Sequence, residues 1–75
     1  MPHVSIKIRA GKPDDRKAEF AEAVTRELER IFGTNPDEVS VKFEDVLQEN
    51  WKEQVYDPEI VNGPGTLYKH PGYTL

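Results

Sequence analysis

Cysteine is absent from this 75-residue chain, which excludes disulfide bonds and thiolate metal sites. The two histidines, His3 and His70, lie far apart with no ligand-like spacing, so we expect neither a metal site nor a metal cofactor. A cysteine-free chain suits a reducing compartment, and we predict a cytoplasmic protein. Because so short a chain buries only a modest core, oligomerisation remains as the source of added stability.

Basic charge and long apolar runs are also scarce. Ten Lys and Arg residues stand against fourteen Asp and Glu, giving a formal net charge of −4. Nucleic-acid binders usually carry a basic stripe, so we expect no nucleic-acid partner. No apolar run approaches the roughly 18 residues of a membrane span, and the N-terminus lacks a signal-peptide pattern. We therefore expect no membrane partner.

Two strand patterns flank one helix pattern. Apolar and polar residues alternate over residues 4–9 and again over 39–44, as in strands with one buried face. Between them, from Asp14 to Phe32, apolar residues recur at helical spacing, and Asp14 and Asp15 are expected to cap the helix. Gly33 is a suitable stop. Strand, helix and strand in some forty residues predict a βαβ unit with parallel strands and a right-handed crossover.

The predicted fold class is α+β, in a single domain over residues 1–75. A βαβ core at residues 2–46 is followed by an irregular, short-helical interface tail at residues 47–75. Two strands under one helix cannot bury enough surface by themselves. We therefore predict that two chains pair edge to edge into a four-stranded sheet with two helices on one face, which also removes an exposed edge.

Pro2 is the candidate catalytic residue that remains after a search for the usual motifs. Neither serine sits in a nucleophile elbow, and no glycine-rich phosphate loop is present. Removal of Met1 would turn Pro2 into a secondary amine. An α-amino group titrates at about 7.7–8.0 in model peptides, and burial or nearby cations favour its neutral form. Such an amine can act as a general base near neutral pH.

The order of several short motifs resembles the 4-oxalocrotonate tautomerase family, within the tautomerase superfamily. The motifs are MPHVSIKI at the start, ENW near residue 50 and HPGY near the end, with a helix and a second strand between the first two. The likeness is greatest to the short dimeric bacterial keto–enol tautomerases and covers nearly the whole chain. It implies an isomerase that needs no cofactor, and a homodimer in preference to a hexamer.

The resemblance also implies site residues. Family members use their N-terminal proline, here Pro2, to move a proton between oxygen and carbon of a 2-keto or 2-hydroxydienoate acid. Hexameric members add two arginines and an aromatic residue; Lys12 and Ser40 stand at the arginine positions and Trp51 at the aromatic one. Lysine lacks the bidentate fork of arginine. The expected substrate is therefore a phenylpyruvate-like monocarboxylate rather than a dicarboxylate.

The length of an extended strand favours a site shared between two chains. At about 3.3 Å per residue, Lys12 lies on the order of 30 Å from its own Pro2. If the first strands of two chains pair antiparallel, Arg9 and Lys12 of one chain approach Pro2 of the other, and the second strand brings Ser40 beside Pro2. We predict an interface pocket built from these residues, with Trp51 as an apolar wall.

Two alternative functions stay open. A protonated Pro2 acting as general acid would suit a hydratase or dehalogenase of the same fold, although water activation would then need a carboxylate. The other alternative is a non-catalytic dimeric binding module in which Pro2 is inert. The group that polarises the substrate carbonyl is also open between Ser40, a backbone N–H and ordered water. All catalytic versions require that Met1 leaves, because a retained Met1 makes the Pro2 nitrogen an amide.

Overall fold

The computed structural model describes residues 1–75 and contains the predicted βαβ unit. Strand β1 runs over His3–Arg9, helix α1 over Asp14–Phe32 and strand β2 over Ser40–Val46. The two strands are parallel neighbours in one sheet, with His3 opposite Ser40 and Arg9 opposite Val46. The predicted strand, helix and parallel strand are confirmed. One end of the sheet therefore holds the chain's N-terminus, and the other holds the two strand ends.

The two ends of α1 differ in how well the sequence predicted them. The expected capping by Asp14 and Asp15 is wrong, because both residues already lie in the first helical turn and Pro13 occupies the N-cap position without a side-chain hydrogen bond. Their carboxylates still favour the positive end of the helix dipole. The predicted stop is confirmed: Gly33 adopts a left-handed φ of 70°, and its N–H donates to the Glu29 carbonyl at 2.9 Å.

Helix α1 packs on the sheet without forming a large core. The rings of Phe20 and Phe43 meet edge to face at 6.1 Å, and the Lys17 ammonium lies 2.8 Å from the Asp45 carboxylate. Only Val46 and Val55 are buried in the whole chain. The accessible surface is 5960 Å², whereas a folded monomer of this mass exposes about 4,700 Å². The isolated chain thus leaves uncovered apolar surface that a compact monomer would bury.

A π-helix follows β2, in the segment where the sequence predicted an irregular, short-helical tail. A 3-10 turn at Gln48–Asn50 leads into the π-helix at Lys52–Val61. Pro58 lies inside this helix and donates no backbone hydrogen bond, so an ordinary α-helical ladder would be interrupted there. Val55, on the same helix, is one of the two buried side chains. No helix of the chain combines the length and the apolar character that a bilayer span requires.

An ion pair fixes the π-helix to β1. The Lys7 ammonium donates to the Glu59 carboxylate, and this hydrogen bond raises the pKa of Lys7 above its ordinary value against the opposing effect of desolvation. Lysine is charged at neutral pH at its ordinary pKa, and the raised pKa of Lys7 only extends the ion pair to more alkaline conditions. The contact joins residues 52 positions apart and holds the segment after β2 against the first strand.

Gly63 lets the tail leave the π-helix at a close approach. A Cβ atom at this position would clash with the Glu59 carbonyl oxygen, a backbone atom that cannot move away as a flexible side chain could. Just before it, the Asn62 backbone N–H and side-chain amide both donate to the Asp57 carbonyl, at 3.1 and 3.0 Å. Any residue with a Cβ atom would clash at position 63, so only glycine fits there.

Replacing Gly63 with alanine is expected to lower the free energy of unfolding by about 1–3 kcal/mol, the usual cost of overpacking. The reason is the clash with the Glu59 carbonyl, which forces the tail to shift. Thermal unfolding of the two proteins measures the loss. Gly72→Ala is the matched control, since nothing lies within 4 Å of a Cβ there and its φ is not left-handed. Equal melting temperatures for Gly63→Ala and the wild type would contradict the steric requirement.

Candidate active site

Pro2 and Ser40 meet at the N-terminal end of the sheet. The Ser40 backbone N–H donates to the Pro2 carbonyl at 3.2 Å, which extends the parallel ladder by one residue beyond β1. The His3 Nδ1 atom lies 2.7 Å from the Ser40 hydroxyl oxygen. Pro2 is half-buried, whereas His3 and Ser40 are exposed. The strand pairing that the sequence predicted therefore fixes the backbone of Pro2 and places the Ser40 hydroxyl beside His3, the next residue.

Met1 projects away from this end of the sheet. Its residue is fully exposed, and its ammonium lies 3.5 Å from the Glu38 carboxylate, itself about half exposed. An exposed ion pair of this kind contributes little to stability. Removing Met1 would therefore disturb no packed contact, and an aminopeptidase could reach the bond between Met1 and Pro2.

Arg9 and Trp51 meet at the opposite end of the sheet. They line an open cavity of about 420 Å³ together with Gln48, Tyr73 and Leu75. The Arg9 Nη1 atom donates to the Gln48 side-chain oxygen at 3.3 Å, and the Trp51 Nε1 atom donates to the Tyr73 hydroxyl at 2.9 Å. The cavity thus combines a guanidinium and an amide with two aromatic rings and an aliphatic side chain.

The tail brings Tyr73 to this cavity. Trp51 stands between the 3-10 turn and the π-helix, and the tail folds back so that the Tyr73 ring lies 5.8 Å from the Tyr56 ring. Sequence reasoning missed Gln48, Tyr73 and Leu75 as lining residues. The available signal was the apolar content of the tail, which carries large side chains in a segment rich in glycine and proline.

Lys12 lies away from Arg9 and Trp51. It lines a second, smaller cavity of about 210 Å³ between α1 and the sheet. The other residues that line it are Ile6, Ile8, Arg16, Lys17, Phe20 and Phe43. Of the two cations that the sequence put forward for substrate binding, only Arg9 shares a cavity with Trp51.

The two ends of the sheet are too far apart to act on one small molecule. Arg9 follows Pro2 by seven positions along an extended chain, which is about 23 Å. Within one chain, the structure therefore groups the predicted residues into two sets. One set holds the proline with Ser40, and the other holds a cation with Trp51. The first set contains a nitrogen that would be a secondary amine without Met1, and the second contains a cavity lined by a cation and aromatic rings.

A parallel βαβ unit with a second-position proline at one end of its sheet has the architecture of a small tautomerase. The family model described as tautomerase enzyme matches residues 2–55, more than half of the chain. The chain therefore belongs to the tautomerase family and is an isomerase. The family resemblance and the fold class that the sequence predicted are both confirmed.

Curated relatives agree with this assignment over nearly the full length. The chain is 37% identical over 73 residues to a probable tautomerase of Xylella fastidiosa, covering 97% of this chain and 89% of that protein. It is 36% identical over 75 residues to tautomerase PptA of Pectobacterium carotovorum, with 99% of each covered. It is also 38% identical over 76 residues to tautomerase PptA of an Enterobacter species, with 100% of each covered.

Proposed function

We propose that the protein is a keto–enol tautomerase for small 2-keto acids of the phenylpyruvate type, with Pro2 as general base after Met1 is removed. The observation that carries this proposal is the cavity in which Arg9 lies beside Trp51, at the opposite end of β1 from Pro2. A guanidinium holds a carboxylate, and an aromatic wall accepts an aryl group. Pro2 alone would support a general base but would not indicate which substrate it acts on.

The proposed active site is shared by two chains of a homodimer. If the β1 strands of two chains pair antiparallel about Ile6, His3 of one chain lies opposite the partner's Arg9, and Pro2 approaches the partner's cavity. The hydrogen bonds of Pro2 and Ala10 to β2 are compatible with this pairing. Because alternate residues of β1 bond to β2, the backbone groups of the intervening residues face the open edge. An antiparallel partner can use them.

Surface and charge also favour a dimer. The accessible surface exceeds that of a compact monomer by an amount on the order of 1,000 Å². A pairing centred on Ile6 sets Lys7 opposite the partner's Ser5, so that no two lysines face each other across the new ladder. A hexamer would need further interfaces beyond this strand pairing.

The substrate class follows from the contents of the cavity. Arg9 is the only cation that lines it, and Trp51, Tyr73 and Leu75 supply its apolar surface. One guanidinium suits one carboxylate, since a second carboxylate would lie against apolar side chains without a partner. A monocarboxylate with an aromatic body matches the cavity better than a dicarboxylate.

The proposed reaction is a proton transfer within one substrate molecule. In the direction of enol formation, the neutral Pro2 nitrogen takes a proton from C3 of the keto acid, and the C–H electron pair forms the C2–C3 double bond. The carbonyl electrons move to the oxygen on C2, which then takes this proton from the Pro2 ammonium and so regenerates the neutral base. The partner's Arg9 holds the carboxylate and steadies the negative charge that develops on the enolate. The reverse sequence returns the proton to carbon.

The test is a ketonisation assay with phenylenolpyruvate on protein whose loss of Met1 has been verified by intact mass. The processed protein is expected to accelerate ketonisation far above the rate in buffer, because a fixed base contributes about 10²–10⁴-fold. A 2-hydroxydienoate dicarboxylate is the comparison substrate and should react more slowly. A processed protein with no rate above buffer would refute the proposal, and hydration of an unsaturated acid instead would favour a hydratase.

A further inference from the structure

Tyr73 carries the only hydroxyl group in the cavity beside Arg9. Its oxygen accepts the Trp51 indole N–H at 2.9 Å. A phenol has one proton to donate in addition to the lone pairs with which it accepts. The Tyr73 proton goes to no group of the chain, so the hydroxyl keeps one free donor at the wall of the cavity.

We propose that Tyr73 donates this hydrogen bond to the oxygen on C2 of the substrate, a role that rests on the keto–enol function proposed above. The oxygen on C2 gains negative charge as Pro2 removes the proton from C3. A donor held at the wall of the cavity can stabilise this charge with little reorganisation. Tyr73 thereby fills the position of the carbonyl-polarising group, which the sequence left open between Ser40, a backbone N–H and water.

Two neighbours prepare Tyr73 for this role. The indole N–H of Trp51 withdraws electron density from the phenol oxygen, and hydrogen bonds in a chain strengthen one another. The Tyr56 ring, 5.8 Å away and tilted by 37°, restricts where the Tyr73 ring can lie. Tyr73 is 44% exposed, so a ligand in the open cavity can reach it.

Arg9 and Tyr73 together match the polar end of a 2-keto acid. Such an acid presents a carboxylate and, on the adjacent carbon, a carbonyl oxygen. A guanidinium and a hydroxyl that line one cavity can bind these neighbouring groups at the same time. Tyr73 lies outside residues 2–55, the segment matched by the family model, so this assignment comes from the folded-back tail.

The test compares Tyr73→Phe with Tyr68→Phe in the processed protein. Tyr73→Phe keeps the ring and removes only the hydroxyl, and it is expected to lower kcat by roughly 10- to 100-fold, somewhat less than the loss of an enclosed oxyanion donor. KM should rise by no more than about 10-fold, the loss of one ground-state hydrogen bond, because Arg9 still binds the carboxylate. Tyr68 lies in the same tail and is 97% exposed, so Tyr68→Phe should match the wild type. A kcat within 2-fold of wild type for Tyr73→Phe overturns the assignment.

A binding measurement separates this inference from the proposed function. Trp51 is the only tryptophan, so its fluorescence reports directly on the cavity. Phenylpyruvate should quench it, with a Kd about 3- to 10-fold weaker for Tyr73→Phe than for Tyr68→Phe, the loss of one hydrogen bond. If Pro2→Ala is inactive while Tyr73→Phe is fully active, the function stands and the Tyr73 assignment fails. If the processed wild type is inactive, the proposed function fails. In that case an equal Kd of phenylpyruvate for Tyr73→Phe and Tyr68→Phe also refutes the contact between Tyr73 and the ligand.

Discussion

Protein in which Pro2 is replaced by alanine is expected to lose about 10²- to 10³-fold in kcat/KM for phenylenolpyruvate ketonisation, once its Met1 has been removed. Alanine still leaves an α-amino group, but a primary amine swings freely, whereas the proline ring fixes the lone pair. The loss is therefore a loss of a positioned base, and such a base contributes about 10²–10⁴-fold. Full activity in the alanine variant would reject Pro2 as the base.

A chain extended ahead of Pro2 provides the stronger version of the same experiment. The Pro2 nitrogen is then an amide without a basic lone pair, so catalysis above the buffer rate should disappear. Folding should be unaffected, because Met1 is fully exposed and makes only an exposed ion pair with Glu38. Circular dichroism and the melting temperature provide the control, and intact mass verifies the state of the N-terminus. Activity in proportion to the processed fraction would tie catalysis to the free proline.

Mixed dimers of Pro2→Ala and Arg9→Gln are expected to recover about one quarter of the wild-type activity. In a two-fold symmetric dimer with shared sites, each mixed dimer holds one site with both substitutions and one site with neither. Random assortment makes about half of all dimers mixed. One of the two sites in each mixed dimer is intact, so about one quarter of all sites are active. If Pro2 and Arg9 of the same chain formed the site, every site in a mixed dimer would carry a defect and no activity would return.

The activities of the two single variants, each measured alone, define the baseline of the mixing experiment. Arg9→Gln alone should lose about 100-fold in kcat/KM, equivalent to about 2.7 kcal/mol, because the substrate carboxylate loses its cation. Arg30→Gln is the matched control, since Arg30 pairs with Glu27 on an exposed face of α1 and should keep full activity. The two chains must be unfolded and refolded together, or co-expressed, so that subunits exchange before the assay.

The βαβ part of the fold could be predicted because its side chains repeat with a clear period. Alternation over residues 4–9 and 39–44 and the helical spacing from Asp14 to Phe32 each have one structural solution. The π-helix has no such signal: its apolar residues form only two adjacent pairs, Val55–Tyr56 and Ile60–Val61, with Pro58 between them. Local sequence could therefore indicate turns there but not their length.

The candidate site could be predicted only where it depends on strand pairing. Ser40 beside Pro2 follows from two parallel strands in register, and the family resemblance pointed to Trp51. The cavity around Trp51 depends on a tail that turns back after Gly63, and long-range contacts of this kind have no periodic signature. That is why Tyr73 escaped the sequence analysis, and why Lys12 could not be separated from Arg9 before the structure placed them in different cavities.

Strand β1 is constrained in length as well as in composition. It carries Pro2 just before its first residue and Arg9 as its last, and its apolar side chains face α1. One inserted or deleted residue would turn every later side chain to the opposite face of the sheet. Such a change would expose Ile8, turn Arg9 towards the helix and shift the register about Ile6 in both chains at once. Loops elsewhere in the chain can change length. Strand β1 can accept substitutions but not insertions or deletions.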